Sequence, residues 1–179
     1  MSVVVIGLNH RTMPLELFER LTIDASRLPK ALAELTSRDD VSEAVVLSTC
    51  NRTEVYAVAE KFHGAYQDIR TFLAETAFLA PEDFVDHLYV HYDREAIRHL
   101  FTVTAGLDSA VLGETEILGQ VRTAWQQSKA EAASGPVLNL LFRHALETGK
   151  RARTDTAIAR GTASVSYAAV EMAGERLGT

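Results

Sequence analysis

The order of apolar and polar stretches divides the first half of the chain into alternating strands and helices. Short runs rich in β-branched residues predict strands over 3–8, 44–47, 55–59 and 87–91. Apolar side chains that recur every three to four residues predict helices over 27–37 and 65–79. The resulting order is βαββαβ. It predicts an α+β fold of the ferredoxin-like type, in which an antiparallel sheet carries helices on one face.

Only helical periodicity follows residue 93. It predicts helices over 94–105, 115–133, 137–152 and 163–177, and Gly135-Pro136 separates the second of these from the third. We therefore expect a sheet part over about 1–92 and an all-helical part over about 93–149. A long C-terminal linker helix would begin at about residue 150 and occupy 150–179. Because the last helix runs almost to the final residue, we expect the parent protein to continue beyond it.

Composition and charge narrow the classes of protein. The chain has 179 residues, of which 47% are hydrophobic, and its formal net charge is −6. This is globular composition, and the negative charge argues against nucleic-acid binding by bulk electrostatics. No apolar run approaches the roughly 18 residues that a membrane span needs, and no signal sequence begins the chain. We expect a cytoplasmic protein that does not enter membranes.

The single cysteine is the first candidate for chemistry. One cysteine excludes an intramolecular disulfide and a cysteine-rich metal site. Cys50 lies in a polar link between two predicted strands, beside Thr49, Asn51 and Arg52, whereas structural cysteines usually lie among apolar neighbours. A nearby positive charge favours the thiolate that a nucleophile needs. Two interpretations remain at this point, a catalytic nucleophile and an incidental exposed thiol.

A nucleophilic cysteine also needs an acid/base partner. His99 lies between apolar positions of a predicted helix, which is typical of a half-buried structural histidine, and His10 lies beside Arg11 in a predicted loop. Either histidine could serve, since only the fold decides which one approaches Cys50.

A third informative stretch, residues 106–121, contains glycines at 106, 113 and 119. Ser109, Glu114 and Gln120 could point into a cavity and bind polar groups of a substrate. Alternatively, Glu114 and Glu116 simply complement the N-terminal end of the following helix. Gly119 falls inside a predicted helix at a cost of about 1 kcal/mol relative to alanine, which suggests close packing or the approach of a ligand.

Together these stretches resemble the N-terminal part of the glutamyl-tRNA reductase family. The matching segments are GLNHRT at 7–12, LSTCNRTEVY at 47–56, GLDS at 106–109, GETEILGQV at 113–121 and GKRAR at 149–153. They occur in the family's order across essentially the whole chain. This resemblance, and not the hydrophobic periodicity, favours Cys50 as a nucleophile.

The resemblance implies an NADPH-dependent oxidoreductase of tetrapyrrole (porphyrin) biosynthesis. In this family a cysteine thiolate attacks the aminoacyl ester of glutamyl-tRNA(Glu), and NADPH reduces the resulting thioester to glutamate-1-semialdehyde. Cys50 matches the nucleophile, and His99 matches a histidine that acts as acid/base or orients the ester. The remaining matched positions contact substrate: Thr49, Asn51, Arg52, Ser109, Glu114, Thr115, Glu116 and Gln120. The Arg52 guanidinium could hold the substrate carboxylate in bidentate fashion, and Glu114 or Glu116 could accept a hydrogen bond from its ammonium group.

Two features depart from the family pattern. Glutamine usually stands where this chain has Glu116, and no G-x-G-x-x-G motif of a nicotinamide site occurs in the 179 residues. We therefore expect the NADPH site to lie outside this chain, with no cofactor or metal bound within it. On its own, the chain would at most hydrolyse glutamyl-tRNA. The resemblance also implies a homodimer of the full-length enzyme and an aminomutase that takes the product.

A basic concentration over 143–160 could contact tRNA phosphates, although a solvated helix face explains it as well: Arg143, Lys150, Arg151, Arg153 and Arg160. Without the resemblance, two other classes remain open. One is a cysteine-dependent hydrolase or peroxidase of a small molecule, and the other is a non-catalytic ferredoxin-like binding module.

Overall fold

The structure is a computed structural model, which describes residues 1–158 and Arg176. Within residues 1–158 the chain forms four strands: β1 (Ser2–Asn9), β2 (Val41–Ser48), β3 (Arg52–Ala59) and β4 (Tyr89–Tyr92). The same residues form six α-helices: α1 (Leu15–Arg20), α2 (Leu28–Thr36), α3 (Phe62–Ala77), α4 (Arg94–Ala105), α5 (Glu116–Ala130) and α6 (Pro136–Asp155). The predicted combination of helices with a four-stranded sheet is confirmed.

The four strands form one sheet in the order β2-β3-β1-β4. Every neighbouring pair is antiparallel, as predicted. The register of β1 and β3 places Asn9 opposite Arg52 and Gly7 opposite Glu54. Because of this pairing, the end of β1 lies beside the turn that joins β2 to β3.

Helices cover both faces of the sheet: those before residue 93 lie on one face and those after it lie on the other. All eight residues of β3 are buried, and side chains along a strand point alternately to opposite faces. Val55 and Ala57 enter a core shared with α1, α2 and α3, while Tyr56 and Val58 enter a second core shared with α4, α5 and α6. A strand that is apolar on both faces requires cover on both faces. The helical part after residue 93 supplies the second layer.

Several boundaries differ from the sequence prediction. Helix α1 was not predicted, because in its six residues only Phe18 is buried and no helical period develops. Two short 3₁₀ turns precede β4, so this strand begins at Tyr89 and not at residue 87. Helix α6 continues through residue 150, where we expected the linker helix to begin, and ends at Asp155. The predicted helix over 163–177 lies outside the described residues, apart from Arg176.

A buried carboxylate joins the sheet to α6. Glu43 on β2 is 8% exposed, and its two carboxylate oxygens accept hydrogen bonds from the backbone amides of Val137 (3.1 Å) and Leu138 (2.7 Å). These amides belong to the first turn of α6 and have no partner within the helix. In the part of the chain that the structure describes, no helix is long and apolar enough to cross a membrane.

Candidate functional site

Cys50 occupies the tight turn between β2 and β3. The Thr49 amide donates to the Arg52 carbonyl at 2.8 Å, and the Thr49 hydroxyl accepts hydrogen bonds from the Asn51 and Arg52 amides, both at 3.2 Å. The Asn51 carbonyl in turn accepts the His10 amide at 3.1 Å. The turn is therefore fixed from both sides, and it presents an exposed Cys50 thiol.

The Arg52 side chain points away from solvent and is only 2% exposed. Its Nη1 lies 2.9 Å from Glu54 Oε1, and its Nη2 lies 3.1 Å from Asp108 Oδ2 and 2.7 Å from the Asp108 carbonyl. Burial is the largest single influence on the pKa of the guanidinium and lowers it, but Glu54 and the other neighbouring acidic groups together raise this pKa above its usual value. The group that the sequence assigns to a substrate carboxylate is thus paired with two carboxylates of the protein.

The Glu54 carboxylate accepts four hydrogen bonds and is completely buried. Its donors are Arg52 Nη1 at 2.9 Å, Tyr56 Oη at 2.6 Å, Tyr89 Oη at 2.5 Å and His99 Nε2 at 2.8 Å. Burial by itself raises the pKa of the carboxyl, yet the His99 hydrogen bond and the Arg52 charge lower it to about 2. Glu54 therefore carries a buried negative charge that only accepts hydrogen bonds.

This charge orients His99. An ionised carboxylate cannot donate, so His99 Nε2 carries the proton of the 2.8 Å hydrogen bond, and Nδ1 is the ring nitrogen that Glu54 leaves unoccupied. The His99 ring also lies against Tyr89 and His91, with centroid separations of 5.3 and 5.0 Å. Burial and the neighbouring His99 lower the pKa of His91. His99 is thus an oriented imidazole at the edge of the sheet.

The loop between α4 and α5 closes on itself and docks on Arg52. Gly106 and Gly113 both have φ near +80°, which favours glycine, and the Gly113 amide donates to the Gly106 carbonyl at 2.8 Å. Asp108 within the loop binds Arg52 and, at 3.2 Å, Arg11. Through these contacts, Arg11 and the loop between α4 and α5 lie close to the Cys50 turn, although Asp108 is far from it in the sequence.

Arg153 of α6 anchors the other end of this loop. Its guanidinium donates to the Thr104 carbonyl at 2.9 Å, the Gly149 carbonyl at 3.0 Å and the Glu114 carbonyl at 2.9 Å. Within the predicted basic cluster, Arg153 is therefore a residue whose Nη1 and Nη2 donate to carbonyls of the protein itself. Arg143, Lys150 and Arg151 of the predicted basic cluster are exposed, and Arg160 lies outside the described residues.

The substrate positions predicted on this loop are of two kinds. Ser109 and Glu114 are buried, at 6% and 5% exposure, and the Ser109 hydroxyl has no hydrogen-bond partner among the described residues. A buried hydroxyl without a partner is costly, and a polar ligand could satisfy it. Thr115 and Glu116 are exposed at the start of α5.

Two clefts flank the Cys50 turn. The first has a volume of about 390 Å³ and contains His99; it is lined by Asn9, Tyr89, His91, Glu95, Arg98, His99, Thr102 and Asp108. The second has a volume of about 490 Å³ and lies between α2 and α5, with Ser48, Glu116, Gly119 and Gln120 among its lining residues. Ser48 precedes the turn and Asn9 pairs with Arg52, so each cleft begins beside the turn. Cys50 itself is not among the described residues that line either cleft.

Glu54, Tyr89 and Asp108 are site residues that the sequence reasoning missed. One signal was available for Glu54: Arg52, Glu54 and Tyr56 alternate along a strand and share one face, so a buried charged pair was readable from the period of two. Nothing in the spacing connects Asp108 to Arg52, which lies 56 positions earlier. Within the described residues, no group of three or more His, Cys, Asp or Glu side chains could hold a metal ion.

Comparisons with known proteins identify the family of the chain. The family model described as the N-terminal domain of glutamyl-tRNA(Glu) reductase matches residues 6–156. The chain is 46% identical over 177 residues to the glutamyl-tRNA reductase of Paenibacillus macerans and 47% identical over 178 residues to that of Frankia casuarinae. These matches cover 99% of this chain but only 40% and 38% of the two relatives.

A solved structure is similar over the same range. Glutamyl-tRNA reductase from Methanopyrus kandleri matches with a TM-score of 0.72 and 34% sequence identity, covering 97% of this chain and 39% of that chain. The chain therefore spans about two fifths of the length of these relatives. On the match to residues 6–156 and the identity to these relatives, the chain belongs to the family of glutamyl-tRNA reductase N-terminal domains.

Proposed function

We propose that this chain is the catalytic domain of a glutamyl-tRNA reductase, in which the Cys50 thiolate attacks the ester of glutamyl-tRNA(Glu). The observation that carries the proposal is the exposed thiol on a turn whose next strand holds the buried Arg52–Glu54 pair, to which His99 of α4 is hydrogen-bonded. A nucleophile needs exposure, and its acid/base partner needs a fixed orientation. Both conditions hold at the same end of the sheet.

The proposed step balances as a transfer of the glutamyl group. The Cys50 sulfur forms a bond to the ester carbonyl carbon, the bond from that carbon to the terminal ribose oxygen breaks, and the ribose oxygen takes a proton as the tRNA leaves. His99 either moves this proton through Nδ1 or orients the ester. Its Nε2 is already committed to Glu54, which holds the ring in one orientation.

The remaining predicted substrate contacts are proposals of the same kind. Thr49 and Asn51 shape the turn, and the Ser109 hydroxyl, which lacks a partner among described residues, can accept or donate a hydrogen bond to a polar group. A substrate carboxylate reaches the Arg52 guanidinium only by displacing Asp108. Glu114, Thr115, Glu116 and Gln120 complete the proposed set.

The residues of this chain do not fit a nicotinamide cofactor. No two of its ten glycines stand two positions apart, as the phosphate-binding turn of such a site requires. We therefore assign no reductive step to these residues and place the NADPH of the proposed reductase outside the chain. Without a reductant, water resolves the thioester, so the chain would hydrolyse glutamyl-tRNA slowly.

We further propose a ferredoxin-like sheet unit, because β3 lies between β1 and β2 and is antiparallel to both. Residues 1–149 would form the catalytic domain and 150–179 the start of a linker helix. The family resemblance supports a homodimer of the longer protein, a cytoplasmic location and delivery of product to glutamate-1-semialdehyde aminomutase.

Intact-protein mass spectrometry tests the proposed reaction. The purified chain is mixed with glutamyl-tRNA, quenched in acid and compared with Cys50→Ser, whose side chain is nearly isosteric. We expect a glutamyl adduct on the parent chain that hydroxylamine removes, and no such thioester on the variant. Equal release of glutamate by the two proteins, with no adduct, would reject the mechanism. An adduct formed as readily from acyl esters unrelated to glutamate would favour the small-molecule hydrolase.

A further inference from the structure

A groove lies between the C-terminal half of α5 and the first turns of α6. Its volume is about 350 Å³, and six described residues line it: Trp125, Lys129, Pro136, Asn139, Leu140 and Arg143. None of these residues is acidic. Lys129 and Arg143 are both exposed, and neither has a carboxylate partner within the part of the chain that the structure describes. We call this surface the basic groove; its charge is opposite to the net charge of −6 of the chain.

Hydrogen bonds hold the floor of the basic groove in place. The Trp125 indole nitrogen donates to Asn139 Oδ1 at 2.7 Å, and the Ser134 hydroxyl donates to the same oxygen at 3.0 Å. The buried Glu43 carboxylate fixes the first turn of α6 from beneath by accepting two of its amides. A surface that is already ordered loses little conformational entropy when a partner binds. The basic groove is therefore a preformed binding surface.

The lining combines apolar contact with positive charge. Leu140 is 51% exposed, and Val137, one turn earlier on α6, is exposed as well. The Lys129 ammonium lies 5.1 Å from the centre of the Trp125 ring. Tryptophan and arginine are enriched among the residues that contribute most of the binding energy at protein interfaces. Trp125 and Leu140 thus offer an apolar contact between two cations.

The same lining disfavours a nucleic acid. Proteins hold unpaired bases by stacking them on free aromatic faces, but Lys129 lies over the Trp125 ring and Asn139 already accepts from the indole N–H. The aliphatic Leu140 side chain adds nothing to phosphate binding. The net charge of −6 also repels a polyanion. A short acidic segment that carries an aliphatic side chain suits both the charge and the size of the groove.

From these observations we infer that the basic groove binds an acidic segment of a partner protein. An aliphatic side chain of the segment packs on Trp125 and Leu140, and its carboxylates pair with Lys129 and Arg143. The groove lies at the opposite end of the sheet from the Cys50 turn, because α6 begins above Glu43, near the start of β2, and the turn follows the end of that strand.

This location keeps the proposed partner away from the candidate site. Glu43 and Ser48 are about 17 Å apart along β2 at the rise of a β-strand. A segment in the basic groove therefore leaves the Cys50 thiol accessible. The inference goes beyond the proposed reaction and does not depend on it.

The fluorescence of Trp125, the single tryptophan of the chain, measures binding in the groove. The first probe is a capped decapeptide in which glutamates flank two pairs of leucines, the second replaces every glutamate by glutamine, and the third is a single-stranded uridine decanucleotide. Each probe is titrated into the parent chain, Arg143→Gln and Arg151→Gln. Arg151 is the matched control, because it is exposed on the same helix and does not line the groove.

We expect the glutamate peptide to change the Trp125 emission saturably and the glutamine peptide to bind about tenfold more weakly, because it cannot pair with the two cations. Arg143→Gln should weaken binding of the glutamate peptide about fivefold, and Arg151→Gln should leave it within about twofold of the parent value. Circular dichroism confirms that both variants are folded.

Three results would overturn the inference: no saturable change with the glutamate peptide, equal affinity for the two peptides, or equal weakening in the two variants. Tighter binding of the uridine decanucleotide than of the peptide, lost in Arg143→Gln alone, would also overturn it and assign the groove to a nucleic acid. The formation of a Cys50 adduct plays no part in these titrations, so failure of this inference is distinct from failure of the proposed function.

Discussion

His99 Nε2 donates a 2.8 Å hydrogen bond to Glu54 Oε1, which links the first helix of the second layer to a completely buried carboxylate in the middle of the sheet. The sequence separates the two residues by 45 positions. Because Glu54 stays ionised, His99 Nε2 is committed to this hydrogen bond and Nδ1 is the ring nitrogen that remains for a substrate. This relationship makes the two possible roles of His99 experimentally separable.

Replacing His99 by glutamine tests proton transfer directly. The glutamine amide can donate to Glu54 in place of Nε2, but it has no nitrogen that exchanges a proton near neutral pH. We expect His99→Gln to form the Cys50 thioester about 10²–10⁴-fold more slowly, the usual contribution of general acid–base catalysis, while its thermal stability stays close to that of the parent. Stopped-flow or quenched adduct assays measure the rate. A rate near the parent value would show that His99 only orients the ester.

The buried Glu54 carboxylate predicts a loss of stability in acid. Its pKa is about 2 in the folded chain and 4.5 in the unfolded chain, so the unfolded state binds more protons as the pH falls between these values. The stabilisation is fully present above pH 4.5 and is lost progressively towards pH 2; it amounts to roughly 3 kcal/mol. Urea unfolding at pH 7 and pH 3 should show a loss about 2 kcal/mol larger in the parent chain than in Glu54→Gln.

If Glu54→Gln does not fold, Tyr89→Phe gives the same information. It removes the 2.5 Å donor to Glu54 and leaves the packing of the ring intact. The Glu54 pKa then rises, and the dependence of stability on pH becomes shallower than in the parent chain. Identical pH dependence in the parent chain and in both variants would contradict the low pKa of Glu54.

The sequence patterns predicted most of the strands and helices, but they did not predict which residues the fold brings together at the site. The apolar runs at β1 to β3 are readable because burial on both faces leaves few polar positions. Burial on both faces also explains why the helices after residue 93 form a second layer on the sheet. The position of Cys50 in a polar link followed from the same pattern, whereas the docking of Asp108 on Arg52 depends on the loop between α4 and α5 folding back across the sheet end. The spacing of residues along the chain does not predict that this loop folds back across the end of the sheet.

The anchoring of the loop between α4 and α5 by Arg153 predicts that its loss changes the dynamics of this loop. Arg153→Met keeps the aliphatic stem but removes three hydrogen bonds to the Thr104, Gly149 and Glu114 carbonyls. We expect faster amide hydrogen exchange over residues 107–114 and a decrease of about 1–3 kcal/mol in the free energy of unfolding, because buried carbonyls lose charged donors. Arg151→Met is the matched control, since Arg151 is exposed and lies 3.8 Å from Asp155. Equal exchange in the two variants would mean that Arg153 does not hold the loop.

Two helical glycines predict opposite effects of the same substitution. Both Gly119 in α5 and Gly149 in α6 lie inside helices, where alanine is favoured by about 1 kcal/mol. A Cβ at Gly119 meets nothing within 4 Å, so Gly119→Ala should raise the free energy of unfolding by about 0.5–1 kcal/mol. At Gly149 the Cβ would lie 2.8 Å from the Thr104 carbonyl oxygen and 2.9 Å from Thr104 Cγ2. Gly149→Ala should therefore destabilise the chain by about 1–3 kcal/mol through overpacking between α4 and α6. Urea unfolding of the two variants side by side measures the difference. Destabilisation by Gly119→Ala would show that α5 needs its glycine for the fold.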